Sequence, residues 1–307
     1  MNNSSLFTLN SSLLLAPMAG VNDPVFRAIC KRMGAALTYT EMISSKGLAY
    51  GNARTQEMIA GLPEDKPYAV QLFGNEPEVM AAEAQRLHEQ LADDIALIDI
   101  NMGCPARKVA SAGSGAALLE KPDLAAAIVS AVSSAVSVPV TVKMRLLHES
   151  DDATTLGFAE RMAQSGAAAL TIHGRTAGQF YTGTARKDIV GVLARYLEIP
   201  VIASGDVYSA DDIQTYWDEG ASAVMAARGA RGNPWIFAGD KPSLEEVVSI
   251  AREHTMRLYE WEPRKLVWMR KHLAWYFKGA PHALKVRKAV QTAVTLEDYL
   301  EILDVCL

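Results

Sequence analysis

Short apolar runs recur along the chain at a regular beat, at residues 13–16, 36–40, 68–73, 96–100, 138–144, 168–172, 200–203 and 223–226. Most are continuous rather than alternating, the pattern of parallel strands covered on both faces. Between them lie amphipathic stretches with helix-start signals. Asp23-Pro24, Glu76-Pro77 and Lys121-Pro122 each place proline where a first helical turn tolerates it. Ser209-Ala-Asp-Asp offers a capping-box-like start to a helix running toward Glu219, and Gly166 and Gly220 stand where helices should stop before the next strand. Eight strands alternating with helices over residues 10–240 predict a (β/α)8 TIM barrel, which typically needs ~250 residues. The competing fold, a doubly wound open sheet, would place GxGxxG after the first strand. The chain has Ala16-Pro17-Met18-Ala19-Gly20 there instead. After Lys241 no strand pattern appears, and residues 243–307 read as three or four helices. The predicted organisation is a barrel over 1–240 followed by a small all-helical C-terminal domain over 241–307.

Composition narrows the class. Half of the 307 residues are hydrophobic and 21% are charged, enough for a large core and incompatible with wholesale disorder. No apolar run approaches the ~20 residues of a membrane span. The opening MNNSSLFTLNSSLLLAP lacks a basic region and does not read as a signal peptide. Cys30, Cys104 and Cys306 form no CxxC pair, which predicts reduced thiols in a cytoplasm and neither a disulfide framework nor a cysteine-built metal site.

In such a barrel the reacting groups lie at the C-terminal strand ends. That rule selects Pro17 and Met18 after strand one, Gln71 in strand three, and Asn101 followed by the Met-Gly-Cys104-Pro loop after strand four. It also selects Lys143 and Arg145 in strand five, His173 and Arg175 at the end of strand six, Ser204-Gly205-Asp206 after strand seven and Ala227-Arg228 after strand eight. Wet loops explain Arg175 well enough. They explain Lys143 poorly, because it interrupts an apolar run. Such a lysine meets a flavin carrying charge on its pyrimidine side, forms a Schiff base, or makes a structural ion pair. Gly205, Gly229, Gly232 and Arg228 occupy the two strand ends where these barrels commonly hold a phosphate, although any one glycine could serve only a turn. Cys30 and Cys306 read as buried structural thiols. Cys104 stands in a loop shaped by Gly103 and Pro105 and could act as a nucleophile or a proton donor.

The segments LLAPMAGVNDPVFR, VQLFG, DINMGCPARKV, GSGAALL, VKMRL, IHGRT, ASGDV and ARGARGNPWIF, in this order, resemble the bacterial tRNA-dihydrouridine synthases over residues 12–240. WMRKHLAWYFKG extends the resemblance more weakly into the tail. The resemblance implies FMN as cofactor, NADPH as reductant and uridines of tRNA as substrate. It implies that Ala16, Pro17 and Met18 touch the isoalloxazine, Gln71 bonds its polar edge, Lys143 sits at its N1/O2 edge and His173 lies beside flavin and substrate. The backbone at Ser204, Gly205, Asp206, Ala227 and Arg228 would hold the phosphate. Asn101 and Arg145 would face the uracil, and Cys104 would be the general acid. That assignment is chemically sensible: C6 of uracil is electrophilic, and hydride addition there leaves charge toward C5, which a thiol of ordinary pKa ~8.5 can protonate. Two positions depart from the family's usual pattern. Ser204 replaces an asparagine and Ala227 a glycine, and the second adds a methyl where backbone approaches a ligand.

Charge distribution bears on the substrate. The window 264–288 holds Arg264, Lys265, Arg270, Lys271, Lys278, Lys285, Arg287 and Lys288 and no acid, +8 against a net charge of −5, so the remainder carries −13. At 100° per residue Arg264, Lys271 and Lys278 would share a narrow arc of one helix, with Trp268, Trp275 and Tyr276 close in sequence. Such a ridge suits an RNA backbone, with Arg270 and Arg287 contributing, while most of the aromatics are expected in the core. A flavin-dependent reductase of free pyrimidines such as dihydroorotate fits the barrel but needs no basic appendage. A non-catalytic RNA-binding barrel would not need Cys104, Lys143 and His173.

Overall fold

The computed structural model describes residues 12–148 and 151–306. The residues on which most of the leader reading rests, 1–11, lie outside them. Eight parallel strands, β1 (Ser12–Leu15), β2 (Tyr39–Ser44), β3 (Tyr68–Phe73), β4 (Ile95–Met102), β5 (Val140–Leu146), β6 (Ala169–Thr176), β7 (Val201–Ser204) and β8 (Ala223–Ala226), pair in the order β1-β8-β7-β6-β5-β4-β3-β2. A bridge between Leu14 and Leu37 joins the two ends, with Leu15 N–H donating to Leu37 O and Ala36 N–H to Leu13 O, both at 2.9 Å. The sheet is therefore a closed barrel.

Helices α1 (Pro24–Arg32), α2 (Ser45–Ala49), α3 (Ala53–Glu57), α4 (Pro77–Leu91), α5 (Arg107–Ala110), α6 (Pro122–Ala135), α7 (Asp152–Gln164), α8 (Asp188–Tyr196) and α9 (Ala210–Asp218) connect the strands. After β8 come α10 (Leu244–Trp261), α11 (Met269–Tyr276), α12 (Ala283–Ala289) and α13 (Leu296–Asp304). The sequence signals act where expected. Pro24, Pro77 and Pro122 are first helical residues, Ser209 and Asp212 close a capping box, and Gly166 and Gly220 follow the ends of α7 and α9 at φ 107° and 95°. The second strand differs from expectation. Residues 36 and 37 serve the closure onto β1, and the ladder with β3 begins at Tyr39 and runs to Ser44, with a register shift between Tyr39 and Met42.

Inside the barrel, Leu14, Leu37, Ala69, Leu97, Ala169, Ile202, Ala223 and Met225 fill a dry lower plug. A larger core lies between the strands and their helices. The helices after β8 build a third cluster that includes Val25 and Ile29 of α1 and Trp235, so this segment shares its core with the barrel's first helix. No helix among the described residues is long and apolar enough to cross a membrane.

Candidate active site

The mouth of the barrel is built by register. Asn101 pairs with Lys143, Arg145 with His173, His173 with Ser204, and Gln71 with Asp99, which brings the polar residues of five strands to one level. Gln71, Asp99, Arg145, His173 and Ser204 are buried there, while Lys143 and Cys104 keep partial exposure.

Cys104 is held by its own loop. Asn101 Oδ1 accepts from the N–H groups of Cys104 (2.9 Å) and Gly103 (3.2 Å), and Arg145 Nε donates to Gly103 O at 2.9 Å. Ala116 N–H donates to Cys104 O at 3.1 Å. Gly115, at φ 62°, passes so close that a Cβ there would lie 2.9 Å from Cys104 O. Asn101 Nδ2 donates to Gln71 Oε1 (2.8 Å), and Gln71 Nε2 donates to Asp99 Oδ2 (2.7 Å). One chain of amides thus runs from a buried carboxyl to the thiol-bearing loop.

Electrostatics in the mouth are set by burial. Asp99 is pushed up to about 6 by burial, against hydrogen bonds from Gln71 and Thr141 and the nearby Lys143. Lys143 is brought down to about 8 by burial and by Arg145, partly offset by Asp99 and Cys104. Burial first, then Lys143, Arg145, Arg175 and Arg228, hold His173 down to about 2. At neutral pH, then, Lys143 is a cation, Asp99 an anion and His173 a neutral imidazole. Its Nδ1 has no hydrogen-bond partner although it is buried.

The ends of β7 and β8 form a cationic corner. Asp206, in the left-handed region at φ 48°, accepts from Arg175 (2.6 and 2.9 Å), Arg228 (2.7 Å) and Ala185 N–H (2.9 Å). Its carboxylate therefore aims the two guanidiniums rather than facing a ligand. Tyr216 Oη donates to Gly205 O at 2.7 Å, and Gly205 takes φ 118°, which only glycine adopts freely. Ala227 has φ −115°, outside the left-handed region that favours glycine. Arg228 lies under the exposed ring of Tyr181, 4.6 Å from its centroid, with Arg145 at 5.6 Å from the same ring. Ala16, at the end of β1, is buried, and Pro17 and Met18 follow it at the rim.

Two of the three glycines expected at the phosphate corner do other work. A Cβ on Gly229 would lie 2.1 Å from Val207 O, and one on Gly232 would lie 2.3 Å from the Trp275 carbonyl carbon. Gly229 lets the two strand-end loops touch. Gly232 lets the β8 loop seat against α11.

The basic window does not form the expected single-helix ridge. Arg264 lies in the 3-10 turn Pro263–Trp268, Lys271 in α11, and Lys278 beyond that helix's end at Tyr276. Arg264 pairs with Glu262 and Glu57, Lys265 with Glu57, and Arg270 donates to Ala293 O at 2.9 Å. Those three cations are engaged within the protein. Lys278, Lys285, Arg287 and Lys288 are exposed. Lys271 reaches back to the mouth, its Nζ beside Gly20 and near Glu41. Trp268 is held between Lys265 and Lys271, while Tyr276 is buried as expected.

Three contributors have roles that the sequence reading did not assign. Asp99 interrupts the apolar run of β4 as Lys143 does that of β5, and the same test would have found it. Arg175 is 2% exposed and belongs to the cationic corner rather than to a wet loop. Asp23, the N-cap of α1, meets His254 and His272 at 3.2 Å each in a fully buried cluster joining the barrel to α10 and α11. The two histidines hold Asp23 far below the usual carboxylate range in spite of its burial. The separation of 231 positions between Asp23 and His254 hides this cluster from sequence reading.

Together these features define a (β/α)8-barrel enzyme with a thiol and a lysine at one polar mouth. The sequence profile described as "Dihydrouridine synthase (Dus)" matches residues 14–307, and the chain belongs to that family. It is 38% identical to "Probable tRNA-dihydrouridine synthase 1" of Synechocystis sp., covering 97% of this chain and 86% of that protein. It is 39% identical to "tRNA-dihydrouridine synthase B" of Xanthomonas campestris, covering 96% and 92%. Its identity to the protein of that same name from Pseudomonas aeruginosa is 37%, covering 92% and 88%.

Proposed function

We propose that the chain reduces particular uridines of tRNA to 5,6-dihydrouridine, with FMN as its flavin and NADPH as reductant. The observation that carries this reading is the Cys104 loop, fixed by Asn101 at the same mouth as Lys143 and His173, in a chain of the dihydrouridine synthase family. The residues present suit a bound flavin. The buried His173 Nδ1 lacks a partner, Lys143 has no carboxylate within 4 Å among the described residues, and Arg228 offers a guanidinium at the corner suited to a phosphate. Pro17, Met18, Gln71, Lys143 and His173 would line the ring, and the backbone at Ser204–Asp206 and Ala227–Arg228 the phosphate.

Bound there, FMN would supply a hydride to C6 of the uracil. The Lys143 ammonium would steady negative charge on the bound ring. The Cys104 S–H bond breaks as the C5–H bond forms, leaving a thiolate that regains its proton from solvent. Asn101 acts on this step by positioning, since it fixes the loop backbone that sets the thiol's place. The uracil must leave its RNA stack to enter the mouth. The segment 241–307 would bind the tRNA through Lys271 at the rim and the exposed Lys278 and Arg287 beyond it.

The test is conversion of unmodified tRNA by the purified holoenzyme with NADPH, read by mass spectrometry of the nucleosides. Dihydrouridine at defined positions is expected. NADPH-dependent reduction of free pyrimidines with tRNA left unchanged would replace this reading with the free-base one.

A further inference from the structure

Beside the cationic corner a cleft of about 490 Å³ runs between the barrel and the helices after β8, lined among others by Tyr208, Arg228, Arg231, Trp275 and Lys278. Among the described residues no acidic one lines it. Arg231 is half-buried with its guanidinium 5.3 Å above the Trp275 ring, and its Nε is buried without a hydrogen-bond partner. Neither Arg231 nor Lys278 has a carboxylate within 4 Å among the described residues, in contrast to Arg264 and Lys265. A cation stacked on indole, stripped of part of its hydration and without a carboxylate partner, favours an anionic group beside it. Gly232 fixes its two halves, because its contact with the Trp275 carbonyl locks the β8 loop carrying Arg231 onto α11.

We infer that Arg231, Trp275 and Lys278 form a phosphodiester-binding site that seats the tRNA backbone next to the extruded uridine. The inference rests on the tRNA reading above. The occupant follows from position and chemistry: the cleft meets the mouth at Arg228, and the exposed Tyr208 ring beside it offers a face to a ribose or base.

The experiment compares holoenzyme with Arg231→Gln and Arg231→Lys variants for tRNA binding over a range of salt. Arg231→Gln should weaken binding about tenfold and flatten the slope of log K against log salt by about 0.7–0.9, the loss of one phosphate contact. Arg231→Lys should keep most of that slope. FMN content and NADPH oxidation without tRNA should be unchanged in both. Unchanged tRNA affinity and slope in Arg231→Gln would overturn the site. So would a raised KM for NADPH with tRNA binding intact, which would give the cleft to the dinucleotide. A wild-type enzyme that binds no tRNA would instead be a failure of the reading on which the inference rests.

Discussion

The lower plug of the barrel and its mouth are built from the same strands yet obey opposite rules. Below, Leu14, Leu37, Leu97 and Ile202 are closed off from solvent and offer only dispersion and apolar burial. One to three residues further along, Gln71, Asp99, Asn101 and His173 are buried but polar, Lys143 is partly buried, and the Nδ1 of His173 lacks a partner. Burying polar groups that are incompletely satisfied costs about 1–3 kcal/mol each. The plug offsets that cost. The difference teaches that stability and chemistry are stacked along one axis, so substitutions at the two levels should separate cleanly.

Ile202→Ala should make the largest change, a loss of about 2–5 kcal/mol in unfolding free energy from the cavity left in the plug. Activity per folded molecule should be kept; urea unfolding and turnover measured side by side check this. A variant with unchanged stability but lost turnover would break the division. Asp99 sharpens it from the other level. Its folded pKa, near 6, lies above the ordinary 3.8, so the folded state holds the proton more tightly than the unfolded one. Its contribution to stability is present in full below about pH 4 and is lost as pH rises through about 6, a change on the order of 3 kcal/mol. Denaturant unfolding from pH 4 to 7 should show this decline in the wild type relative to Asp99→Asn. Parallel curves would contradict it. The smallest effect concerns Lys143. Its proton is lost around pH 8, so dihydrouridine formation should fall above that pH by up to about tenfold per unit, without loss of folded protein by circular dichroism.

Much of this arrangement was legible in the chain because it follows strand periodicity. Continuous apolar runs gave the barrel, and the rule of C-terminal strand ends gave Gln71, Asn101, Cys104, Lys143 and His173. The second strand was misplaced because Glu41 and Ser44 extend it with polar residues into the mouth, where function overrides the apolar pattern. Ion pairing was invisible, since Glu57 neutralises Arg264 and Lys265 from about 200 positions away. The single-helix ridge fails for a local reason: the chain winds as a 3-10 turn as far as Trp268, and α11 ends at Tyr276, before Lys278. The spacing reads Gly232 as a phosphate glycine, whereas its close approach to Trp275 is set by tertiary packing.

Cys104 carries the central claim, and its replacement by alanine tests it most directly. Single-turnover reduction of tRNA uridines by NADPH-reduced enzyme should fall about 10²- to 10⁴-fold in Cys104→Ala, the range a positioned general acid supplies. Flavin content and the rate of flavin reduction by NADPH should stay at wild-type values. Dihydrouridine formation at the wild-type rate in that variant would show that another group delivers the proton.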